Sequence, residues 1–166
     1  MNWDEQRSLL QAAIGDIAGM LDDVTDFSAQ GLGEWDRGGL VGHFLRALRT
    51  PVDYLQRPLS VDSPLPDAAA YYTAYLEMRE ADPEAVDGGV VARGYEEMST
   101  NPDHPAIAIR TDAEQLDRQL REVGPNRLLQ TLVGPMRLED YMRTRTMEVV
   151  VHGLDISRAL GNDWQP

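Results

Sequence analysis

The chain has 166 residues, 42% of them apolar, and a formal net charge of -13, which suits a soluble globular protein of one ordinary domain with a full core. It contains no cysteine and no lysine, which excludes disulfides, thiolate metal sites, iron–sulfur clusters, cysteine nucleophiles, Schiff-base lysines and the P-loop lysine. The negative charge argues against nucleic acid and anionic membranes as main partners, and no apolar run nears the roughly 20 residues that span a bilayer. The N-terminus, MNWDEQRSLLQAAIGD, is acidic and lacks signal-peptide order, so the expected compartment is the cytoplasm.

In chain order, Asp4 to Thr25 is expected to be a first helix, with Leu9, Leu10, Ala13, Ile14, Ile17, Met20, Leu21 and Val24 at helical spacing. Asp36 is the expected N-cap of a second helix, Arg37 to about Leu55, which Pro51 should kink or divide. Arg57 to Pro66 holds three prolines and is expected to be a loop, followed by a helix over Asp67 to Ala81. Asp82-Pro83 and Gly88-Gly89 punctuate the next stretch, leaving a turn or two of helix over Val90 to Met98 and a loop over Ser99 to Pro105. Asp112, with Gln115 three residues on, resembles a capping box opening a helix to about Val123. Leu128 to Met136 suggests a small hairpin turning at Val133-Gly134-Pro135, and the last helix should run from about Leu138 to Leu160, ended by Gly161-Asn162. The sum is all-α, a four-helix bundle with short extra helices.

The chemistry is concentrated in that last helix. Glu148 and His152 are four residues apart, which stacks them on one helical face about 5–6 Å apart. Such a pair can grip a divalent cation. The same face runs Tyr141, Arg145, Glu148, His152, Asp155 and Ala159, among apolar neighbours including Met142, Met147, Val149, Val151 and Leu154. Buried charge of this kind is costly unless paired or metal-bound. A third ligand must come from elsewhere, and the other two histidines are His43 and His104. His43 lies on the inward side of helix two, whereas His104 sits in a proline-flanked loop, so His43 is the better partner. A His43/Glu148/His152 triad would leave coordination positions open, as catalytic zinc sites do. By spacing alone a Glu–His pair is more commonly a helix-surface contact and a lone histidine a satisfied core residue, and Arg145 and Asp155 are equally compatible with a structural salt bridge across the bundle.

Two segments resemble a known family. GEWDRGGLVGHFLRAL, residues 33–48, places a tryptophan eight residues before a histidine, and MRLEDYMRTRTMEVVVHGLDISRALG, residues 136–161, carries the order R-x-x-E-x-x-x-H-x-x-D. Both look like the mycothiol-dependent maleylpyruvate isomerase N-terminal domain, within the DinB-like superfamily. VARGYEEMSTNPDHPA, residues 91–106, fits the middle of such domains more weakly. The resemblance implies a DinB-like bundle over residues 1–166, with His43, Glu148 and His152 as ligands of a divalent metal. Zinc is the expected ion, with nickel or another divalent ion able to compete. It also implies a low-molecular-weight thiol, mycothiol or a similar one, as co-substrate. Asp155 would orient His152 or handle protons, Arg145 would pair with the metal-bound carboxylate, and Arg93 would hold an anionic group of substrate or thiol. Asp36-Arg37-Gly38-Gly39 stands where the family has threonine and small apolar residues, and should loosen the start of helix two. The resemblance implies a further C-terminal domain in the full isomerase, and residues 1–166 are expected to form the DinB-like domain alone.

The function these residues point to is a metal-dependent, thiol-assisted transferase or isomerase acting on a small electrophile, in a bundle that could form homodimers. The alternatives are a metal-dependent hydrolase using bound water, a non-catalytic metal-stabilised binding bundle and, ranked last, a ferrous oxygenase.

Overall fold

The computed structural model describes residues 2–100 and 104–166. Its elements are α1 (Trp3–Met20), α2 (Arg37–Gln56), α3 (Ala68–Ala81), α4 (Pro83–Ser99), α5 (Pro105–Val123), the strands β1 (Leu128–Thr131) and β2 (Gly134–Arg137), and α6 (Leu138–Leu160). Helix α1 packs on α5 and α6, and α2 packs on the same two helices. The four therefore close a ring in the order α1, α5, α2, α6, and the fold is an all-α DinB-like bundle. Helix α4 rides along the outside of α2, and α3 bridges α4 and α6.

Local chemistry explains most of the boundaries. Asn2 and Glu5 form a reciprocal capping box that starts α1, each side chain accepting from the other's backbone N–H at 2.9 Å. The helix stops at Met20, short of the expected Thr25, yet Leu21 remains buried and Val24 packs on the core from a turn. The apolar period outlives the helix there, because burial does not require helical backbone. Asp36 caps α2 as expected, its carboxylate accepting from the Gly39 N–H at 2.6 Å. Pro51 does not divide α2; the packing of that helix against α5 and α6 outweighs the missing hydrogen bond.

Two helices are longer than the sequence suggested. Asp82 caps α4, its carboxylate accepting from the Ala85 N–H at 3.1 Å, Pro83 opens the helix, and Gly88-Gly89 lies inside it. Glycine costs up to about 1 kcal/mol in a helix, and tertiary contact offsets it. Helix α5 opens at Pro105, so Asp112 is not a cap but an interior residue whose carboxylate accepts from the Arg49 guanidinium at 2.7 Å. The loop expected over 99–105 lies partly at 101–103, outside the described residues.

The hairpin pairs Leu129 with Met136 and Thr131 with Gly134. Its turn residues are therefore Leu132-Val133, one position earlier than expected. Gly134, at φ 138°, opens the returning strand in a backbone conformation closed to other residues.

The glycines at the start of α2 do not loosen it. A Cβ on Gly42 would collide with the Gly94 carbonyl, and a Cβ on Gly39 would stand 2.8 Å from the Trp35 ring. Small residues at these positions are what let α2 and α4 approach. The core runs through the bundle, with Leu10, Ile14 and Ile17 of α1, Phe44, Leu45 and Leu48 of α2, Ile109 and Leu116 of α5, and Tyr141 and Met142 of α6 all buried.

Candidate functional site

Helix α2 turns Val41, Phe44, Leu45 and Leu48 into the core, which leaves half-buried His43 facing α6 at the edge of the ring. The Trp35 ring, on the approach to α2, lies 5.6 Å from the His43 ring, and it stacks on Tyr95 of α4 at 6.0 Å. That contact gives the Trp-then-His spacing its physical meaning, since the indole fixes the imidazole from outside the bundle. From α6, His152 meets His43 edge-on, with ring centroids 4.4 Å apart. His152 Nε2 and Glu148 Oε2 share a hydrogen bond of 3.0 Å.

The structure thus brings His43, Glu148 and His152 together. His104 is exposed at the head of α5 and does not line the cavity described below. Among the described residues no group of three or more histidines and carboxylates forms a metal cage.

Glu148 is held from three sides. Arg145 stands 3.6 Å from Oε1, and the Tyr72 hydroxyl donates to the same oxygen at 3.3 Å. Oε2 is left to His152. Arg145 does not pair with Asp155. Its guanidinium lies over the Tyr141 ring, 4.8 Å from the centroid, and its Nε donates to the Thr144 hydroxyl at 3.2 Å. Asp155 Oδ2 is 3.8 Å from His152 Nδ1, an ion-pair separation rather than a hydrogen bond. Exposed Arg93 reaches the site from α4. The apolar frame expected around this face is incomplete, since Met147 and Val151 are 46% and 44% exposed.

Beside the cluster, roofed by α3 and α4, lies a cavity of about 480 Å³. His43 and Glu148 line one part of it, together with Arg93, Arg145 and five of the six tyrosines of the chain. Sequence reasoning placed Tyr71, Tyr72 and Tyr75 on one helix without assigning them a role. The available signal was three polar-tipped aromatics within five residues of α3.

The electrostatics set the charge states of the cluster. Burial pushes His43 down to about 4, and the His152, Arg145 and Arg93 charges add to that against the opposing pull of Glu148. His43 is therefore neutral, with a free lone pair, at pH 7. Burial raises Glu148, but the His152 hydrogen bond, Arg145 and Tyr72 outweigh it and hold the carboxyl at about 2. Burial pushes Tyr71 up to about 12, and burial with the Glu148 charge raises Tyr72 further, so both hydroxyls stay protonated donors.

A pH dependence of stability follows. Between pH 6.5 and about 4 the unfolded chain protonates His43 and the folded chain does not. Between 4.5 and about 2 the same holds for Glu148. Stability rises with pH wherever the unfolded state binds more protons, so both groups make the metal-free protein weaken as pH falls, His43 first. Each tenfold change in proton affinity is worth about 1.4 kcal/mol, so complete burial would make the His43 share roughly 3 kcal/mol. Urea midpoints between pH 7 and 4 check this. A His43→Phe variant should flatten the decline over that window, and an equally steep one would refute the assignment.

The fold and this cluster define a helical bundle of DinB type with a His–Glu–His group beside a side cavity. The model of the mycothiol maleylpyruvate isomerase N-terminal domain matches residues 10–157, nearly the whole chain, and the chain belongs to that family. No curated protein and no solved structure matches it. Among the described residues no helix is long and apolar enough to cross a membrane.

Proposed function

We propose that this chain is a divalent-metal-dependent enzyme that brings a low-molecular-weight thiol, mycothiol or a similar one, onto a small electrophile. The observation that carries the reading is the contact of His43, His152 and Glu148, with two of the three lining the cavity. Two imidazoles and a carboxylate are a suitable donor set for zinc, or for nickel or another divalent ion. The hydrogen bond between His152 and Glu148 keeps those two donors turned toward one point, where a cation can replace the shared proton. A bound ion would supply the Lewis acidity that lets a thiol ionise at neutral pH.

The chain's own residues do the rest. His43 and Glu148 present their donor atoms in ligating form, and Tyr72 and Arg145 fix the Glu148 carboxylate so that Oε2 is the oxygen offered. Arg93 holds an anionic group of substrate or thiol at the cavity. Asp155 orients His152 through its Nδ1 side, and as a positioning group its loss should weaken metal affinity about 10–100-fold. Asp155→Asn with unchanged affinity would leave it a structural residue. The thiolate sulfur adds to an electrophilic carbon, and the displaced electron pair goes to the conjugated π system or the leaving group, which then takes the thiol's proton. In an isomerisation the C–S bond breaks again after bond rotation and the thiolate is returned, and in a transfer the C–S bond stays.

Elemental analysis of the purified chain, with a mycothiol titration, tests this. The expected result is one divalent ion per chain, lost in His43→Ala, kept in His104→Ala, and perturbed by thiol. Metal indifferent to thiol would move the assignment to hydrolysis by bound water or to a metal-stabilised binding bundle. No metal after reconstitution would overturn it.

A further inference from the structure

One wall of the cavity is a stack of alternating cations and rings. The Arg57 guanidinium lies 4.3 Å from the centroid of Tyr54, the Tyr54 and Tyr141 centroids are 5.5 Å apart, and Arg145 lies 4.8 Å from the centroid of Tyr141. The inner end of the stack is neutralised by Glu148, 3.6 Å from Arg145. The outer end differs. Arg57 is exposed, and its charge faces only the Tyr54 ring, with no carboxylate partner among the described residues. Of the four arginines that line this cavity, Arg46 is paired with Asp53 at 2.7 Å and Arg145 with Glu148, which leaves Arg57 and Arg93 without a carboxylate partner among the described residues, in a chain whose net charge is -13. Positive charge has been gathered here against the sign of the whole molecule.

A second, independent observation lies in the middle of the stack. Tyr141 is fully buried and lines the cavity, and its hydroxyl has no hydrogen-bond partner among the described residues. Tyr54 and Tyr71 pack on its ring at 5.5 and 5.7 Å. A phenylalanine would fill the same space without the cost of a desolvated, unpaired hydroxyl. An orphaned donor beside a cavity with unpaired guanidiniums can take its acceptor from a ligand.

We propose that this cavity binds an aryl carboxylate, with its flat apolar body among the tyrosine rings and its carboxylate toward Arg57. The Tyr141 hydroxyl gains its missing acceptor from that ligand, directly or through one bridging water. Tyrosine rings and stacked guanidiniums both favour an aromatic body over an aliphatic one. One guanidinium fork with one hydroxyl matches a single carboxylate better than a doubly charged phosphate. The volume of about 480 Å³ accommodates a molecule of this class. As a substrate of the enzyme the aryl carboxylate would also have to carry the electrophilic carbon, and that part rests on the metal-dependent reading above, but the anion wall needs no metal to bind.

The test is calorimetric titration of the chain held metal-free in chelator, and then metal-loaded, with 2-naphthoate, 2-naphthamide and cyclohexanecarboxylate as probes. The naphthoate should bind the metal-free chain at least about tenfold more tightly than either of the others. Arg57→Met should weaken it about tenfold. Tyr141→Phe should weaken it by about fivefold or more while the urea midpoint of the free chain stays level or rises, a split that a purely structural role would not give. Naphthoate binding indifferent to both substitutions would overturn the proposal. So would equal affinity for cyclohexanecarboxylate, tighter binding of inorganic phosphate, or no binding in either form. Binding seen only with metal and abolished in His43→Ala would place the carboxylate on the ion and overturn it as well. A chain that takes no metal yet binds naphthoate through Arg57 would defeat the metal reading and leave this one standing.

Discussion

Glu148→Ala is expected to abolish divalent-metal binding and, separately, to destabilise the metal-free chain by about 3 kcal/mol. Both effects come from one carboxylate. Its Oε2 faces His152 at 3.0 Å, and its Oε1 faces Arg145 at 3.6 Å and the Tyr72 hydroxyl at 3.3 Å. The Arg145 side chain is only 11% exposed, and no other carboxylate pairs with it among the described residues. Breaking a buried pair by removing one partner costs about 3–5 kcal/mol, because the other charge is stranded. The lower end applies here, since the Glu148 side chain is 24% exposed and the separation is long. Glu148→Gln separates the two effects. It retains an acceptor for Tyr72 but presents no charge to a metal, so it should be as metal-deficient as the alanine variant and lose less stability. Urea unfolding in chelator beside metal titration checks both. An alanine variant with the parent's midpoint would show that solvent, not Glu148, balances Arg145.

Gly42→Ala should destabilise the chain by up to about 2 kcal/mol and open the cavity roof, although alanine is the better helix former. The methyl would collide with the carbonyl oxygen of Gly94, and the Met98 Cβ lies 3.1 Å away. A backbone carbonyl cannot rotate aside as a side chain can, so α4 has to move off α2. Overpacking of this kind costs about 1–3 kcal/mol, against about 1 kcal/mol gained in helix propensity. Helix α4 carries Tyr95, which stacks on Trp35, and Arg93, which lines the cavity, so its displacement should also loosen the support of His43. Gly88→Ala is the matching control on α4. A Cβ there meets nothing within 4 Å, so the propensity gain stands unopposed and the variant should be more stable by about 0.5–1 kcal/mol. A Gly42→Ala chain as stable as Gly88→Ala would contradict the close approach of α2 and α4.

Where local rules act alone, the sequence was sufficient. Asp36 and Gly161-Asn162 mark the ends of α2 and α6 because capping depends on a few neighbouring residues, and both ends fall where those residues stand. The face shared by Glu148 and His152 was legible for the same reason, since helical geometry sets an i, i+4 spacing whatever surrounds it. Helix α5 also carried its signal, in Ala106, Ile109, Ala113, Leu116 and Leu120 at helical intervals, but Asp112 mimics a cap and only its pairing with Arg49 shows what it does. Gly88-Gly89 suggested a break in α4, and the contact of that helix with α2 carries it through. The meeting of His43 with the Glu148–His152 pair was an expectation from inwardness and family likeness. Its geometry depends on how α2 and α6 pack, and nothing local to either segment encodes that.

Two features belonged to the tertiary structure entirely. Tyr72 reaches Glu148 from α3, and Arg57, Tyr54, Tyr141 and Arg145 stack in a line drawn from two helices and a loop. By itself the sequence determined the all-helical class, the main caps, the candidate ligands and the chemistry that the missing cysteines and lysines exclude. Only packing decided which side chains share a cavity, because that depends on the angles and separations between helices, which are set by the shapes of buried surfaces far apart in the chain.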